Sequence, residues 1–369
     1  MKILVLNYEY PPIGGGAAPV AADISRHLAM EGHDVSVVTM AYRDLPRLET
    51  VDGVKIHRVK CLRSKAFVSY PWEQLSYLIS ARGYLKSLLQ EEHFDIAYVH
   101  FVVPTGVLGV WLKKRYKLPF VLSTHGSDVP GHNKNRFQLM HTMLKGAWKK
   151  ICSEAWVVTA PSDYLRELIW KNDASVRCEI VPNGIETNVY RQEPKEKSIL
   201  TLSRLQEHKG VQDVIRAFSA KKPDAWTMTI AGDGPYRAEL EKLAAENGVE
   251  KSVTFTGWIE SKSEQLSSLL AKASVFVSMS RFESFGLSAA EAIASGCVAV
   301  LSDILAHRFF QQFGAILVPL DDPAALEQAL EEAMQRTPSL PDNVERLDWS
   351  GIVKKLESYL IDAAKSKNG

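Results

Sequence analysis

The sequence predicts an α/β protein made of two Rossmann-like domains, each a doubly wound parallel sheet. Three observations carry that prediction. Apolar runs of strand length alternate with stretches of helical periodicity along almost the whole chain, the signature of βα units. A polar, mixed-charge stretch containing Pro194 (residues 187–197) breaks the alternation once, and the alternation then starts again. The 369 residues suffice for two domains with a core each. We therefore expect an amino-terminal domain over 1–188, a linker over 189–197, a second domain over 198–348, and a last helix over 349–369.

Residues 2–7 read as the first strand. The loop Tyr8-Glu-Tyr-Pro-Pro-Ile-Gly-Gly-Gly-Ala-Ala18 follows, ahead of a helix that Pro19 suits and Gly32 ends. Glycines here, Gly15 and Gly16 among them, let a ligand approach the backbone. The run is not the G-x-G-x-x-G fingerprint, and taken alone a merely tight turn explains it equally well. Strands are expected over 34–40 and 94–100, a strand pair over 51–59, and helices over 72–90 and 107–116. A strand at 119–124, helix at 138–151, strand at 155–159 and helix at 161–170 continue the pattern, and Glu179-Ile-Val-Pro-Asn-Gly184 closes the half. Ligands of such sheets bind beyond the carboxyl ends of the strands. Ser123-Thr-His-Gly-Ser-Asp128 lies at such an end, where a histidine is commonly structural.

The second half opens with a strand at 199–203, then Arg204-Leu-Gln-Glu-His-Lys-Gly210 and a helix from Val211. A strand and glycine-rich turn at 227–235 follow, and then a strand segment ending at Ile259. The apolar run 273–278 reads as a buried strand. After it comes Arg281-Phe-Glu-Ser-Phe-Gly-Leu-Ser-Ala-Ala-Glu-Ala-Ile-Ala-Ser-Gly296, a turn and a tightly packed helix that Gly296 caps. Glu291 is the exception in this otherwise buried segment; an unpaired buried charge is costly, so a partner is expected. A helix running through Glu283 and Glu291 would set them about 12 Å apart along its axis. That is the reach from ribose to sugar in a nucleotide-diphosphate sugar, with the helix start near the phosphates. Taken singly, Glu283 reads equally well as a cap and Glu291 as half of an ion pair. Strands at 298–302 and 315–319, a helix from Pro323 and a last helix at 349–364 complete the chain.

Composition is that of an ordinary globular protein, and net charge is +1. Residues 1–7 are a strand-length apolar run followed by Glu9, so no cleavable leader is expected. The longest apolar window, 101–112, is too short to span a bilayer. Cys61, Cys152, Cys178 and Cys297 lack metal-ligand spacing and read as reduced thiols. Positive charge concentrates in residues 101–150, with nine Lys/Arg against one Asp. Its clusters, Lys113-Lys-Arg-Tyr-Lys117 and Lys145-Gly-Ala-Trp-Lys-Lys150, fit solvated helix faces or, with Tyr116 and Trp148 interleaved, an anionic membrane surface. No nucleic-acid motif accompanies the charge.

The E-x7-E spacing of Glu283 and Glu291, with Glu-Ser-Phe-Gly-Leu around the first, resembles the retaining glycosyltransferases of GT-B architecture, family four (glycosyl transferases group 1). The resemblance covers nearly the whole chain, with its motifs in the family's order. It implies two Rossmann-like domains facing a central cleft and a last helix crossing back to the first. It implies a metal-independent hexosyl transfer from a UDP- or GDP-sugar to a glycan, lipid-linked or small-molecule acceptor. Arg204 and Lys209 would neutralise the diphosphate, helped by Ser284, Phe285, Gly286 and Leu287 at the helix start. Glu291 would take the ribose hydroxyls and Glu283 the sugar hydroxyls. His125 would meet the donor sugar, with Asp128 as an acceptor or sugar contact. Gly15 and Gly16 would face the donor phosphates, and backbone near Ile259 the base. No cofactor is expected beyond the nucleotide sugar, and no metal, since no Asp-x-Asp follows a strand. The segment from Asp303 to Phe310 departs from the family in lacking a glycine, which bears on sugar selection. The implied place is cytoplasmic, peripheral on the inner face of the membrane where the basic surface docks. Against this stand a non-catalytic nucleotide-sugar-binding protein, and an epimerase or phosphorylase of the same architecture.

Overall fold

The computed structural model describes residues 1–132, 138–190, 193–221 and 224–366. The chain divides into two compact units, Met1–Asn183 with Trp349–Gly369, and Gly184–Asp348.

Unit 1 is built on an eight-stranded sheet of order β3-β4-β2-β1-β5-β6-β7-β8. Its strands are β1 (Lys2–Leu6), β2 (Asp34–Met40), β3 (Leu48–Val51), β4 (Val54–Val59), β5 (Ile96–His100), β6 (Phe120–Ser123), β7 (Val158–Ala160) and β8 (Cys178–Ile180). All pairings are parallel except β3 with β4. That exception is a two-residue hairpin, with Asp52 and Gly53 both at positive φ as a right-twisted ribbon demands. β5 is buried along its whole length, which is why its sequence does not alternate. The helices are α1 (Ala17–Met30), α2 (Pro71–Glu91), α3 (Gly106–Tyr116), α4 (Gln138–Glu154) and α5 (Asp163–Asn172). In the first turn of α2, buried Glu73 accepts the Ser64 and Tyr70 amides at 2.7 and 3.0 Å, pinning the entering loop.

Unit 2 carries a wholly parallel sheet of order β11-β10-β9-β12-β13-β14. In chain order its elements are β9 (Glu196–Leu202), α6 (Val211–Lys221), β10 (Thr227–Ala231), α7 (Arg237–Glu246), β11 (Val253–Gly257), α8 (Glu264–Lys272) and β12 (Ala273–Ser278). There follow α9 (Leu287–Ala294), β13 (Val298–Ser302), α10 (Leu305–Arg308), β14 (Ile316–Val318) and α11 (Pro323–Gln335). The last helix, α12 (Trp349–Lys365), belongs to unit 1 and packs on α1, β5 and β6.

Two expectations change here. The boundary falls after Asn183 rather than 188, because Ile185 and Thr187 bond to Leu347 and Asp348 at the far end of unit 2. The stretch expected as linker, 189–197, runs into β9, and its residues 191–192 lie outside the described residues. Among the described residues no helix is long and apolar enough to cross a membrane.

Candidate functional site

Among the parallel strands of each sheet the order reverses once, between β1 and β5 in unit 1 and between β9 and β12 in unit 2. The carboxyl ends flanking such a reversal form a natural crevice. The charged residues singled out in unit 2 follow those two strands.

After β9 the chain passes Arg204, makes a helical turn at Glu207–Lys209, and enters α6 through Gly210. Gly210 has φ +68, and a Cβ there would lie 2.1 Å from the Met279 carbonyl at the end of β12. Only glycine lets the two loops approach so closely. Three contacts hold them together: Arg281 N–H donates to the His208 carbonyl at 2.8 Å, Arg281 reaches Asp213 at 3.4 Å, and His208 stacks on Phe282 with centroids 4.3 Å apart.

This clamp brings Lys209 onto Glu283. The ammonium donates to Oε1 of the carboxylate, and the Ser280 hydroxyl donates to the same oxygen at 3.0 Å. Burial pushes the Glu283 carboxyl up, but attraction and hydrogen bonding from Lys209, with His307 and Ser280, outweigh it and hold it below the ordinary carboxylate range. Arg204 is exposed, and no described residue takes its guanidinium, whereas Leu205 beside it anchors the loop by bonding to the Asp233 carbonyl at 2.9 Å.

Glu283 precedes α9 by four residues, because the helix begins at Leu287 and not in the turn. The axial spacing expected for one helix through both glutamates therefore does not apply. Gly286, at φ +108, is the cap, and a Cβ there would meet His307 and Phe310 at 3.3 Å. Phe285 turns into the core against Phe309 and Phe310, so any part it plays in binding is through its backbone. Ser284 and Leu287 are partly buried in the turn and first helical position. The first amides of α9 lack intrahelical acceptors, as at any helix start.

Glu291, one and a half turns into α9, is pushed up to about 7 by burial, offset by a hydrogen bond from Tyr190 and by Lys262. Its partners are thus a phenol and a lysine from segments far off in sequence. Ile259 is buried in the core, and Trp258 beside it stands exposed.

Sequence reasoning also missed His307. Its Nδ1 lies 3.1 Å from both the hydroxyl and the carbonyl of Ser302. Burial lowers its pKa, with Glu283 pulling the other way. It sits in α10, where the family's glycine was expected and not found.

In unit 1 the sites follow β1, β5 and β6. Gly14, at φ +110, is the crowded glycine of the first loop: a Cβ there would meet Glu9 and Ala18 at 2.6 and 2.8 Å. The Gly15 amide is taken by Glu9 Oε2 at 3.1 Å, while Gly16 faces open space. Glu9, not picked out in the sequence, is raised by burial and offset by the Gly15 bond and by Arg63 at 3.6 Å.

His125 stacks on buried His100, whose Nδ1 lies 2.9 Å from His125 Nε2, and the Phe101 ring closes on it at 4.7 Å. Burial lowers His125 to about 3 and His100 well below its usual range, so both rings are neutral near pH 7. Asp128 faces the backbone. One oxygen accepts the His125 and Gly126 amides at 2.9 and 3.0 Å, and the other accepts Val102 at 2.9 Å. Both carboxylate oxygens thus tie the loops after β5 and β6 together.

The basic clusters also change meaning. Trp148 is buried and donates to the Asp128 carbonyl at 2.9 Å, so it is no surface anchor. Lys113 and Lys114 both pair with Glu154, at 3.1 and 3.3 Å.

Residues 14–189 match the profile of Glycosyltransferase Family 4, and residues 185–346 that of Glycosyl transferases group 1. The chain is 26% identical to an alpha-monoglucosyldiacylglycerol synthase of Streptococcus pneumoniae, over 100% of this chain and 87% of that one. It is 25% identical to a GDP-mannose:cellobiosyl-diphosphopolyprenol alpha-mannosyltransferase of Xanthomonas campestris, over 82% and 79% of the two chains. Its fold is similar to that of a sucrose-phosphate synthase from Thermosynechococcus elongatus, with TM-score 0.80, 19% identity, and 97% and 98% of the chains covered. It is also similar to Anabaena HepE crystallised with UDP-glucose, with TM-score 0.73, 20% identity, and 98% and 100% covered.

Proposed function

The chain belongs to the GT-B glycosyltransferases of the glycosyl transferases group 1, and from that premise we propose a retaining, metal-independent transfer from a UDP- or GDP-sugar to a glycan or lipid-linked acceptor. The observation that carries the reading is the Lys209–Glu283 ion pair at the strand-order reversal, with Arg204 exposed on the same loop.

Charge develops on the leaving diphosphate as the glycosidic bond breaks, and donors already in place lower that barrier without reorganising. Arg204 offers a planar fork to two phosphate oxygens, and Lys209 a point charge. Together they supply the positive charge that a divalent ion supplies elsewhere. The start of α9 adds backbone dipoles. Glu283 uses Oε1 for Lys209 and Ser280, which leaves Oε2 to orient donor-sugar hydroxyls. Glu291 would accept the ribose hydroxyls as an anion. In unit 1, neutral His125 would hydrogen-bond a sugar hydroxyl without adding charge.

Glu283 is a weak nucleophile, because an ion pair holds its charge. This favours a route in which the leaving phosphate helps deprotonate the acceptor on the same face. The relatives named for a glucosyl diacylglycerol and for a diphosphopolyprenol acceptor support a lipid-borne acceptor. We place the reaction on the cytoplasmic side.

The test is transfer from labelled UDP-glucose and GDP-mannose to lipid and glycan acceptors, with and without EDTA, and with the product's anomeric configuration read by proton NMR. Activity in EDTA with an α-linked product is expected. Strict dependence on manganese, or a β-linked product, would refute the reading.

A further inference from the structure

The turn before α9 holds one open carboxylate oxygen, Oε2 of Glu283, because Oε1 is taken by Lys209 and Ser280. A second acceptor lies beside it. The His307 ring is 1% exposed, and its edge lies against Gly286. A Cβ on that glycine would come within 3.3 Å of Cδ2 and 3.4 Å of Nε2, so any larger residue there would cover Nε2.

The partners of the ring place its proton. Nδ1 lies 3.1 Å from both the carbonyl and the hydroxyl oxygen of Ser302. A carbonyl only accepts, and the Ser302 hydroxyl donates to the Ser280 carbonyl at 2.6 Å. Nδ1 therefore carries the proton and donates to Ser302. Burial, with Lys209 behind it, holds the ring below its usual pKa against the pull of Glu283 and the Ser302 carbonyl, so the ring is neutral near pH 7. Nε2 is then a lone pair with no partner among the described residues.

The chemistry of these two atoms selects their ligand. Both accept, so neither suits a phosphate oxygen. Lys209 on the same carboxylate opposes a cation. A group bearing hydroxyl protons satisfies both. The ring is also fixed: Nδ1 is tied to the end of β13, and Phe310 packs beside it with centroids 6.4 Å apart.

We propose that His307 is a specificity-determining residue for the donor sugar, its Nε2 accepting from one sugar hydroxyl while Glu283 Oε2 accepts from another. This rests on the functional reading above and narrows the donor to a sugar with free hydroxyls at both places. A donor deoxygenated at the His307 place leaves a buried acceptor unpaired and is selected against.

The test is a cycle between side chain and substrate. The kcat/KM of UDP-glucose and GDP-mannose is compared with that of their 2-, 3-, 4- and 6-deoxy forms. In the wild type, loss of either contacted hydroxyl should lower it by about fivefold to tenfold. His307→Asn keeps an amide that can donate to the Ser302 carbonyl but has no atom at the Nε2 place. One of the two penalties should vanish in it and the other remain. His307→Gln, whose amide oxygen reaches that place, should restore the lost penalty in part. Ser302→Ala disturbs the same buried bonds but keeps Nε2, and should retain both. Unchanged penalties in His307→Asn would overturn the proposal, since a purely structural role lowers all donors alike. So would nitrogen NMR of the ligand-free protein showing the His307 proton on Nε2. Wild-type protein inactive with both parent donors would remove the functional reading, and this inference with it.

Discussion

At the scale of single residues, the site works through pairs rather than separate side chains. Lys209 and Glu283 share one hydrogen-bonded ion pair, so neither can be removed without altering the other. Lys209→Ala and Arg204→Ala should each lower donor turnover by at least about tenfold, or about 1.4 kcal/mol of transition-state stabilisation. Lys209→Ala combined with Glu283→Gln should cost less than the sum of the singles, as a double-mutant cycle on kcat/KM would show; strict additivity would mean independent roles. Glu291 gives a pH signature. Its raised pKa means that the ligand-free site favours the protonated form below about 7 and is destabilised as pH rises through that value. Ribose hydroxyls donate best to the anion, so binding should release a proton, and nucleoside diphosphate affinity should rise about tenfold from pH 6 to 8. Calorimetry on Glu291→Gln isolates this from phosphate titration, and an unchanged pH slope in that variant would exclude Glu291 as the group. In unit 1, His100 Nε2 is buried with no partner among the described residues. An unpaired lone pair costs less than an unpaired N–H, so the His100 proton sits on Nδ1 and donates to His125, which then carries its own proton on Nδ1. His100→Phe should lose that tautomer in nitrogen NMR and lower kcat, and His100→Asn, which keeps a donor near that place, should restore much of both. Equal activity in all three would make His100 a packing residue.

At the scale of elements, what could be read from the sequence followed what local chemistry determines. The buried strands, the glycine cap after α9 and the proline start of α11 depend on neighbours a few residues away, and they lie close to where the sequence put them. The turn at 283–286 and the helix from Leu287 also lie where the sequence put them, but the axial spacing from Glu283 to Glu291 assumed one helix through both, and Gly286 at φ +108 leaves Glu283 in the turn before α9. Contacts between distant segments were not legible. Tyr190 meets Glu291 from a segment read as linker, His307 sits near Glu283 from a segment noted only for a missing glycine, and Glu9 holds Gly15 across its own loop. Each is set by which strand ends the sheet places side by side, and no spacing in the chain encodes that order. Asp128 shows the converse. The His-Gly-x-Asp pattern was visible, but the carboxylate's role in joining two loops depends on Val102, 26 residues away. The element prediction concerns the loop pair after β9 and β12. Gly210→Ala would drive a Cβ into the Met279 carbonyl, forcing the loops apart. Donor turnover should fall at least as far as in Lys209→Ala, with thermal stability lowered as well; wild-type turnover would show that the clamp does not position Lys209.

At the scale of the whole molecule, the two units differ in how the chain completes them. Unit 2 is one continuous segment carrying Arg204, Lys209, Glu283 and Glu291, whereas unit 1 is finished only by α12, after the whole of unit 2 has been made. That helix buries Trp349, Ile352, Val353, Leu356, Leu360 and Ala363, and Glu357 on it bonds to His33 at 2.8 Å. Removing a fully buried leucine side chain costs about 2–5 kcal/mol from lost transfer energy and the cavity left behind. Leu356→Ala should therefore lower the melting of unit 1, although the position lies more than a hundred residues beyond that unit's other segment. A nucleoside diphosphate at about a hundred times its Kd adds about 2.7 kcal/mol to whatever folds around it. On the reading proposed here, most of that falls on unit 2. Scanning calorimetry should then show Leu356→Ala shifting one transition down and UDP or GDP shifting the other up, with the two effects additive. A ligand shift confined to the transition that Leu356→Ala moves would instead place the nucleotide on unit 1, and would remove Arg204, Lys209 and Glu291 from its binding.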